Sequence, residues 1–494
     1  ITAKLQHVLT DDVFRAELEQ YGLEQVKKFS WDKTATQAIA AWEKLHVDKQ
    51  QKQRVKELQV QRPKLAYVSP LPPERSGISD YSAELLPVLS RHYDIDVIVA
   101  QDTVTDPWVK ANCHIRNVGW FRNHSHSYER VLYQFGNASC HQHMFSLLSE
   151  IPGVIVLHDF FLSGIIYQMD IYGGIENFWM DELYQAYGYK VLLEGFQAID
   201  TATDIDPADM IWKYPCNLSV LRDARGVIVH SESSKTLAQK WYSEDTLDWD
   251  VIPLLRVPVH DNDHLKARHV LGLQKTDFII CSFGMLGRMK LNHRLLEAWL
   301  SSDLVKDSNC KLIFVGEHQD NEYEQELLDL IQDDVLSSNI IVTGWVDKAT
   351  YNNYLAAADI GVQLRTLSRG ETAASVLDCM NYSLPTIVNR HGSLAELPDD
   401  VVQKIPDKFS NEQLIAALET LWKDSDYRQL LGDKARDLII KQHAPRNCAE
   451  QYHAALEQFY RHATIDIHSL TSAIANIEPS VDNPELLQQL AGDI

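Results

Sequence analysis

Hydrophobic and polar positions divide the chain into stretches with different periods. Residues 1–60 carry a loose apolar stripe at helical spacing and end in the polar run DKQQKQRVKELQVQR, which predicts a helical extension or linker. From Lys64 onward, short β-branched runs alternate with helical segments. Because these runs are apolar on both faces, they indicate parallel strands covered by helices on both sides.

Two series of such runs follow one another. The first contains KLAYVS, DIDVIVA, RVLYQF, GVIVLH and GVIVHS, and the second contains FIICSFG, KLIFVG, NIIVTG, DIGVQL and LPTIVN. We therefore predict an α/β chain with two Rossmann-like, doubly wound parallel-sheet domains that face each other across a cleft. The expected boundaries are 61–255 with a helical insert at 161–221, then 256–445, then a closing helix and tail at 446–494.

Composition narrows the class of protein. The apolar share of 45% and charged share of 23% are those of a globular chain, and the net charge of -23 argues against nucleic acid as a partner. The seven cysteines are scattered singly, which favours reduced thiols over a disulfide framework or a zinc site. No uncharged apolar run reaches the ~20 residues that span a bilayer. We expect a cytoplasmic protein.

Two nucleotide-binding signatures are missing. There is no G-x-G-x-x-G after the first strand and no G-x-x-x-x-G-K-[ST], which removes the main support for a dinucleotide dehydrogenase or a P-loop nucleotidase. The acidic pair Asp94 and Asp96 in YDIDVIVA is spaced like a metal-binding pair, but it opens a strand. We expect no metal site there.

The stretch RTLSRGETAASVLDCM places charged residues at a predicted strand-to-helix turn. A helix N-terminus binds phosphate through unpaired N–H groups, Gly370 allows close approach, and Arg365 and Arg369 add charge. Glu371 and Asp378 are seven apart, about 20° from eclipsed on a helix, so both acids are expected to face one groove. A nucleotide-sugar fits such a groove. The alternative is a capping box formed by Ser368 and Glu371.

Other strand ends also carry polar residues. Arg288 and Lys290 follow FIICSFG, where a lysine can meet a diphosphate or lie on the surface. Gly77 lies in the loop after the first strand, and Asn137 follows the run RVLYQF. His158 and Asp159 follow the run GVIVL. These residues are expected at the carboxyl edge of each sheet.

Residues 64–460 resemble family 4 retaining glycosyltransferases of the GT-B fold. The resemblance is carried by FGMLGRMKLNHRLLEAW, VLDCMNYSLPTIV, FVGE, VTGWV and YLAAADIGV. Within the family, SRGETAASVLD is similar to bacterial polysaccharide enzymes, mannosyltransferases among them. Three positions depart from the family pattern. Gly370 occupies the place of the usual first Glu, so that Glu371 comes one residue late, and Asp378 stands where the family has its second Glu. Met285 occupies the place of an arginine, which Arg288 is expected to replace.

The resemblance implies a retaining transfer of a sugar from GDP-mannose or a UDP-sugar to a hydroxyl of a glycan or glycolipid. It also implies no metal and no cofactor beyond the donor substrate. The aromatic residues of the insert, Trp179, Tyr184, Tyr187 and Trp212, are an expected acceptor platform or core. The implied site residues are, for catalysis, His158, Glu371, Lys290 and Arg288; for the donor, Gly77, Gly284, Gly370, Thr372, Arg365, Asp378 and Gly316; for the acceptor, Asn137 and Asp159.

Two rival interpretations stay open. One is a two-domain sugar-nucleotide epimerase or phosphorylase. The other is a non-catalytic scaffold subunit with a degenerate donor site, in which residues 1–60 dock a protein partner. A peripheral position at the inner face of the cell membrane is a further expectation.

Overall fold

The computed structural model describes residues 2–28, 39, 62–199, 207–242, 247–260, 262–317, 322–332 and 339–475. The chain forms two compact units, Ile1–Arg62 and Pro63–Ile494. In the first unit, helices α1 (Thr2–Thr10) and α2 (Asp12–Val26) match the predicted helical extension as far as it is described. Asp11 caps α2 by accepting hydrogen bonds from the backbone N–H groups of Val13 and Phe14. The rest of the predicted extension, residues 29–60, lies almost entirely outside the described residues.

The second unit alternates strands and helices. Its strands are β1 (Lys64–Val68), β2 (Asp94–Val99), β3 (His114–Asn117), β4 (Arg130–Phe135), β5 (Val154–Leu157), β6 (Gly226–Val229), β7 (Trp249–Val251), β8 (Phe278–Phe283), β9 (Cys310–Val315), β10 (Ile340–Val342), β11 (Ile360–Gln363), β12 (Thr386–Asn389) and β13 (Gln403–Ile405). Its helices up to the end of the first sheet are α3 (Gly77–Leu89), α4 (Pro107–Asn112), α5 (Val118–His124), α6 (His143–Glu150), α7 (Ser163–Ile171), α8 (Phe178–Tyr187), α9 (Tyr189–Ile199), α10 (Pro207–Lys213), α11 (Leu218–Asp223) and α12 (Glu232–Trp241). The later helices are α13 (His264–Leu271), α14 (Asn292–Ser301), α15 (Glu322–Gln332), α16 (Lys348–Ala357), α17 (Ala374–Asn381), α18 (Asn411–Lys423), α19 (Ser425–Leu438) and α20 (Pro445–Ala475).

Strands β1 to β7 form the sheet of the first domain, and β8 to β13 form the sheet of the second. Their orders are β3-β2-β1-β4-β5-β6-β7 and β10-β9-β8-β11-β12-β13, and all pairings are parallel. The predicted fold class, two doubly wound parallel sheets, is confirmed. The strand order reverses between β1 and β4 in one sheet and between β8 and β11 in the other. Ligands of such sheets bind in the crevice at these switch points.

The pattern of apolar runs missed three strands, β3, β7 and β13. All three lie at an edge of their sheet, and each is only three or four residues long. An edge strand has one paired side and is partly exposed, so its sequence mixes charged and apolar residues. The missed strands read HIRN, WDV and QKI, without a continuous apolar run.

Helix α20 returns from the second domain to pack on the first. The hydroxyls of Tyr81 and Tyr452 lie 2.7 Å apart, and Arg130 forms an ion pair of 2.7 Å with Glu457. Gly226 allows this approach, since a Cβ there would lie 2.5 Å from the ring of Phe459. The helix predicted at 446–462 therefore begins at Pro445 and continues to Ala475, while residues 476–494 lie outside the described part.

Candidate functional site

In the described part of the chain, two adjoining cavities between the domains bring predicted site residues together. The wide cavity has a volume of about 820 Å³ and lies between the loop 72–77 with α3 and the second domain. The histidine cavity, of about 290 Å³, lies deeper against the first sheet and includes His141, His158 and His230 in its wall. Five residues line both cavities: Ser76, Gly77, Tyr81, Arg256 and Ala374. The predicted residues Asn137, His158, Asp159, Glu371 and Thr372 line the histidine cavity, and Asp378 lines the wide one.

Asp378 is held by two partners in the wall of the wide cavity. Its Oδ1 lies 2.7 Å from Nε of Arg256, and its Oδ2 accepts a hydrogen bond of 3.2 Å from the hydroxyl of Tyr351. The contact with Arg256 is an ion pair only, because the Nε–H of Arg256 does not form a hydrogen bond with the carboxylate. The other guanidinium nitrogens donate to the carbonyls of Leu255 and Ala374. Arg256 was missed from the sequence because it lies in the segment between the sheets, in no recognisable motif.

Lys290 and Arg365 form a pair of neighbouring cations at the switch point of the second sheet. Lys290 follows β8 and Arg365 follows β11, and a hydrogen bond from Thr366 N to Met289 O holds the two segments together. Burial, with the nearby Arg365 charge, lowers the pKa of Lys290 to about 7. No carboxylate among the described residues lies within ion-pair distance of either side chain, but the charge of Glu371 acts on Arg365 and partly offsets the lowering of its pKa by burial. Such a pair attracts a multiply charged anion.

The glycines beside Lys290 have a steric role. Gly284 has φ +97°, and a Cβ there would collide with Lys290 Nζ. A Cβ on Gly316 would meet the backbone of Gly284. Both glycines thus let the ends of β8 and β9 pack closely around the lysine. Gly77 is different, because a Cβ there would meet nothing within 4 Å.

Arg288 does not join the Lys290–Arg365 pair. Its side chain is 71% exposed and lies 3.8 Å from the carboxylate of Glu326 and over the ring of Tyr323. These partners belong to helix α15, on which the guanidinium packs. The structure therefore gives no support to Arg288 as a replacement for the family arginine.

The helix expected to begin at Gly370 begins at Ala374 instead. Glu371 precedes helix α17, so the predicted arrangement of Glu371 and Asp378 on one helix face is wrong. The capping box is also wrong, because Glu371 Oε2 accepts from the backbone N–H of Arg369 at 2.7 Å in a non-helical turn. The two carboxylates line adjoining cavities rather than one groove.

The turn at 369–370 docks on the first domain. The N–H groups of Phe160 and Phe161 donate to Arg369 O, and Ser234 Oγ donates to Gly370 O at 2.6 Å. The Arg369 guanidinium stacks 4.0 Å from the ring centre of Trp212. Gly370 and Arg369 therefore join the domains, which differs from the predicted phosphate contact.

Strand ends of the first domain form the floor of the histidine cavity. His158 Nε2 lies 2.8 Å from Gln134 Oε1, and burial, with His230 and His141 nearby, lowers its pKa well below the usual value. Asp159 accepts from the backbone N–H of Asn137, and burial raises its pKa. Asn137 Oδ1 accepts from Ile165 N, so this residue also fixes helix α7.

The insert provides little exposed aromatic surface of the predicted kind. Trp179 is buried and Tyr187 packs between Tyr214 and Trp241, so both belong to the core. Tyr184 and Trp212 remain exposed. Of the four predicted rings, these two are left for contact with an acceptor, beside other exposed aromatic side chains of the insert.

Three further findings concern metals and membranes. Asp96 is buried, and its Oδ2 accepts from Tyr128 and lies near Arg116 and Lys64. Within the described ranges, no group of three or more His, Cys, Asp or Glu residues is arranged to hold a metal ion. None of the described helices is both long and apolar enough to cross a bilayer.

Comparisons with known proteins agree with this architecture. Residues 263–438 match the family "Glycosyl transferases group 1". HepE of Anabaena, crystallised with UDP and glucose, is 15% identical with a TM-score of 0.58, over 80% of this chain and 100% of its own. Sucrose-phosphate synthase of Thermosynechococcus elongatus is 15% identical with a TM-score of 0.56, over 82% of this chain and 100% of its own.

A third similar structure is WaaG, a glycosyltransferase involved in lipopolysaccharide biosynthesis. It is 15% identical with a TM-score of 0.53, over 79% of this chain and 99% of its own. Among curated proteins, no sequence match is found. The predicted resemblance to glycosyltransferases of the GT-B fold is confirmed.

Proposed function

We propose that this GT-B chain, whose second domain carries the group 1 glycosyltransferase sequence, transfers a sugar with retention from a nucleotide-sugar to a hydroxyl of a glycan or glycolipid. The observation that carries the proposal is the Lys290–Arg365 pair. Two partly or fully buried cations without an ion-pair partner among the described residues repel each other, and a bound diphosphate removes this repulsion.

The diphosphate lies between β8 and the start of helix α17. Arg365 Nη2 contacts Ser375 Oγ in the first turn of α17, whose free N–H groups add a partial positive charge. As the bond to the sugar breaks, negative charge grows on the departing diphosphate. Lys290 and Arg365 stabilise this charge in place of a metal ion.

The nucleoside occupies the wide cavity. Asp378 accepts hydrogen bonds from the ribose hydroxyls, and Arg256 and Tyr351 keep its carboxylate in place. The base lies near Glu317 and Trp345, which line the same cavity. These contacts decide which base is bound.

The transferred sugar extends into the histidine cavity. Glu371 accepts from its hydroxyls, and His158 lies near the reacting carbon. Retention follows if the acceptor attacks the face from which the diphosphate leaves, and a leaving phosphate oxygen then takes the acceptor proton. Asn137 and Asp159 lie on the acceptor side, where their mutual hydrogen bond fixes them.

UDP-glucose and GDP-mannose are the donors to test first. UDP and glucose occupy HepE, a structural relative, whereas the sequence resemblance points to mannosyltransferases. A cytoplasmic role in polysaccharide synthesis, at the membrane surface when the acceptor is a lipid, agrees with the seven free cysteines.

The proposal is tested by incubating the full chain with each nucleotide-sugar and a panel of glycan and lipid-linked acceptors. Mass spectrometry of the products and NMR of the new anomeric centre are the readouts. A glycosylated acceptor with the donor's anomeric configuration is expected. A new nucleotide-sugar without acceptor would indicate an epimerase, and absence of nucleotide binding would indicate a scaffold.

A further inference from the structure

The segment that ends β12 and follows it holds the loop that carries Arg365 and Glu371. Asn389, the last residue of β12, is fully buried and binds both backbone groups of Arg365. Its Oδ1 accepts from Arg365 N at 2.8 Å, and its Nδ2 donates to Arg365 O at 2.7 Å. Ser393 Oγ donates to Glu371 O at 3.1 Å. One segment thus fixes the backbone of two residues that the proposed reaction uses.

His391 holds the middle of the same loop. Its Nε2 lies 2.9 Å from Ser368 N, which only donates, so Nε2 accepts and the ring proton resides on Nδ1. Nδ1 donates to Asp407 Oδ1 at 2.8 Å. The same carboxylate oxygen lies 3.4 Å from Nδ2 of Asn389. Asp407 therefore selects the tautomer of His391 that can accept from the loop, and it contacts Asn389 as well.

The path of the loop depends on these outside contacts. Leu367 has φ +53°, a left-handed conformation that a residue with a bulky side chain adopts at a cost. Gly392 lies against the loop, since a Cβ there would be 2.6 Å from Ser368 Oγ. Strained backbone of this kind persists only where surrounding groups hold it in place.

The loop has a functional residue at each end. Arg365 lies beside Lys290 at the proposed diphosphate site, and Glu371 lines the histidine cavity. A displacement of about 1 Å at such a residue is enough to lower a reaction rate by about 100-fold. Groups that fix the loop can therefore control the reaction without contact with the substrate.

We propose that Asn389, His391 and Ser393 form a positioning clamp, which holds Arg365 for the diphosphate and Glu371 for the transferred sugar. The inference rests on the proposed function and divides its two tasks between the members of the clamp. Asn389 acts on the diphosphate end of the loop. His391 and Ser393 act on the sugar end.

The test separates diphosphate binding from sugar transfer in variants of the full chain. UDP and GDP, which end at the diphosphate, are titrated by calorimetry, and transfer from UDP-glucose and GDP-mannose is assayed at saturating donor. His391→Leu is expected to bind the diphosphate within about twofold of the wild type and to lose about tenfold or more in kcat. Asn389→Ala is expected to lose about tenfold or more in diphosphate affinity. His462→Leu is the matched control, because His462 is an exposed histidine that contacts Asp248 outside this loop.

Two milder variants distinguish positioning from general support of the fold. His391→Gln keeps a side-chain oxygen that can accept from Ser368 N, so its kcat should stay within about threefold of the wild type. Ser393→Ala removes one hydroxyl from a half-buried position and should lower kcat by about threefold, with unchanged diphosphate affinity. These two variants decide the question if Asn389→Ala or His391→Leu does not fold.

The outcomes separate the inference from the proposed function. Wild-type affinity and kcat in all clamp variants would overturn the inference and leave the function standing. A parallel loss of diphosphate affinity and kcat in His391→Leu would also overturn it, since the clamp would then only support the fold. If the wild type binds neither UDP nor GDP and transfers no sugar, both fail.

Discussion

Gly370 of the second domain and Phe160 of the first are in direct contact. A Cβ on Gly370 would lie 2.5 Å from Cβ of Phe160, and Phe160 N donates to the neighbouring Arg369 O at 3.1 Å. Gly370 also has φ +84°, which favours glycine. The observed packing of the two domains thus depends on a residue without a side chain.

Gly370→Ala should destabilise the protein by about 1–3 kcal/mol, because it combines left-handed backbone strain with a clash between domains. Gly272→Ala is the matched control, since Gly272 has φ +71° but open space around its Cβ. Chemical denaturation measures both variants, and X-ray scattering measures domain separation. An equal loss of stability in both variants, with unchanged scattering, would show that the contact at Gly370 does not hold the two domains together.

The fold was predictable because central parallel strands are apolar on both faces. The positions of Lys290 after β8 and of Asp378 on helix α17 were predictable for a similar reason, since each residue lies in a segment with a recognisable pattern. The turn at Gly370 was not. SRGETAASVLD has the composition of a helix start, but contacts with Phe160 and Ser234 stabilise a different backbone path. Arg256, His141 and His230 lacked a motif, although His230 directly follows the apolar run of β6.

Nucleotide affinity should depend on pH through Lys290. Its pKa is about 7 in the free protein, and a bound diphosphate raises it, so binding above pH 7 takes up a proton. Affinity for UDP or GDP is therefore expected to fall as pH rises from 7 to 9, by up to about tenfold per pH unit. Calorimetry in buffers of different ionisation enthalpy measures the proton uptake. A pH-independent affinity would remove Lys290 from the phosphate site.

Asp378→Asn should weaken nucleotide binding by about tenfold or more, because the amide accepts less strongly from the ribose and leaves Arg256 without its ion pair. The same variant should lose discrimination between UDP and its deoxyribose counterpart. A double-mutant cycle that combines Asp378→Asn with the deoxyribose nucleotide gives the coupling energy between the carboxylate and the ribose hydroxyl. Zero coupling would place the ribose elsewhere.

Glu396 of the second domain caps helix α12 of the first. Its carboxylate accepts from Glu232 N at 3.0 Å and Ser233 N at 2.6 Å. Glu396→Gln should cost about 1 kcal/mol, typical of a lost charged cap. Hydrogen exchange in the first turn of α12 should accelerate several-fold, whereas Glu450→Gln, an exposed helical acid, should have no such effect. Unchanged exchange would argue that the cap is not formed in solution.

The most direct test of the central claim is calorimetric titration of UDP and GDP into the wild type, Lys290→Met and the control Lys306→Met. Lys306 is an exposed lysine of the same domain, paired with Asp303. We predict that one nucleotide binds the wild type and the control equally, and binds Lys290→Met at least about tenfold more weakly. Thermal unfolding should show that Lys290→Met is no less stable than the wild type. Equal affinity in all three proteins would contradict a diphosphate site at Lys290.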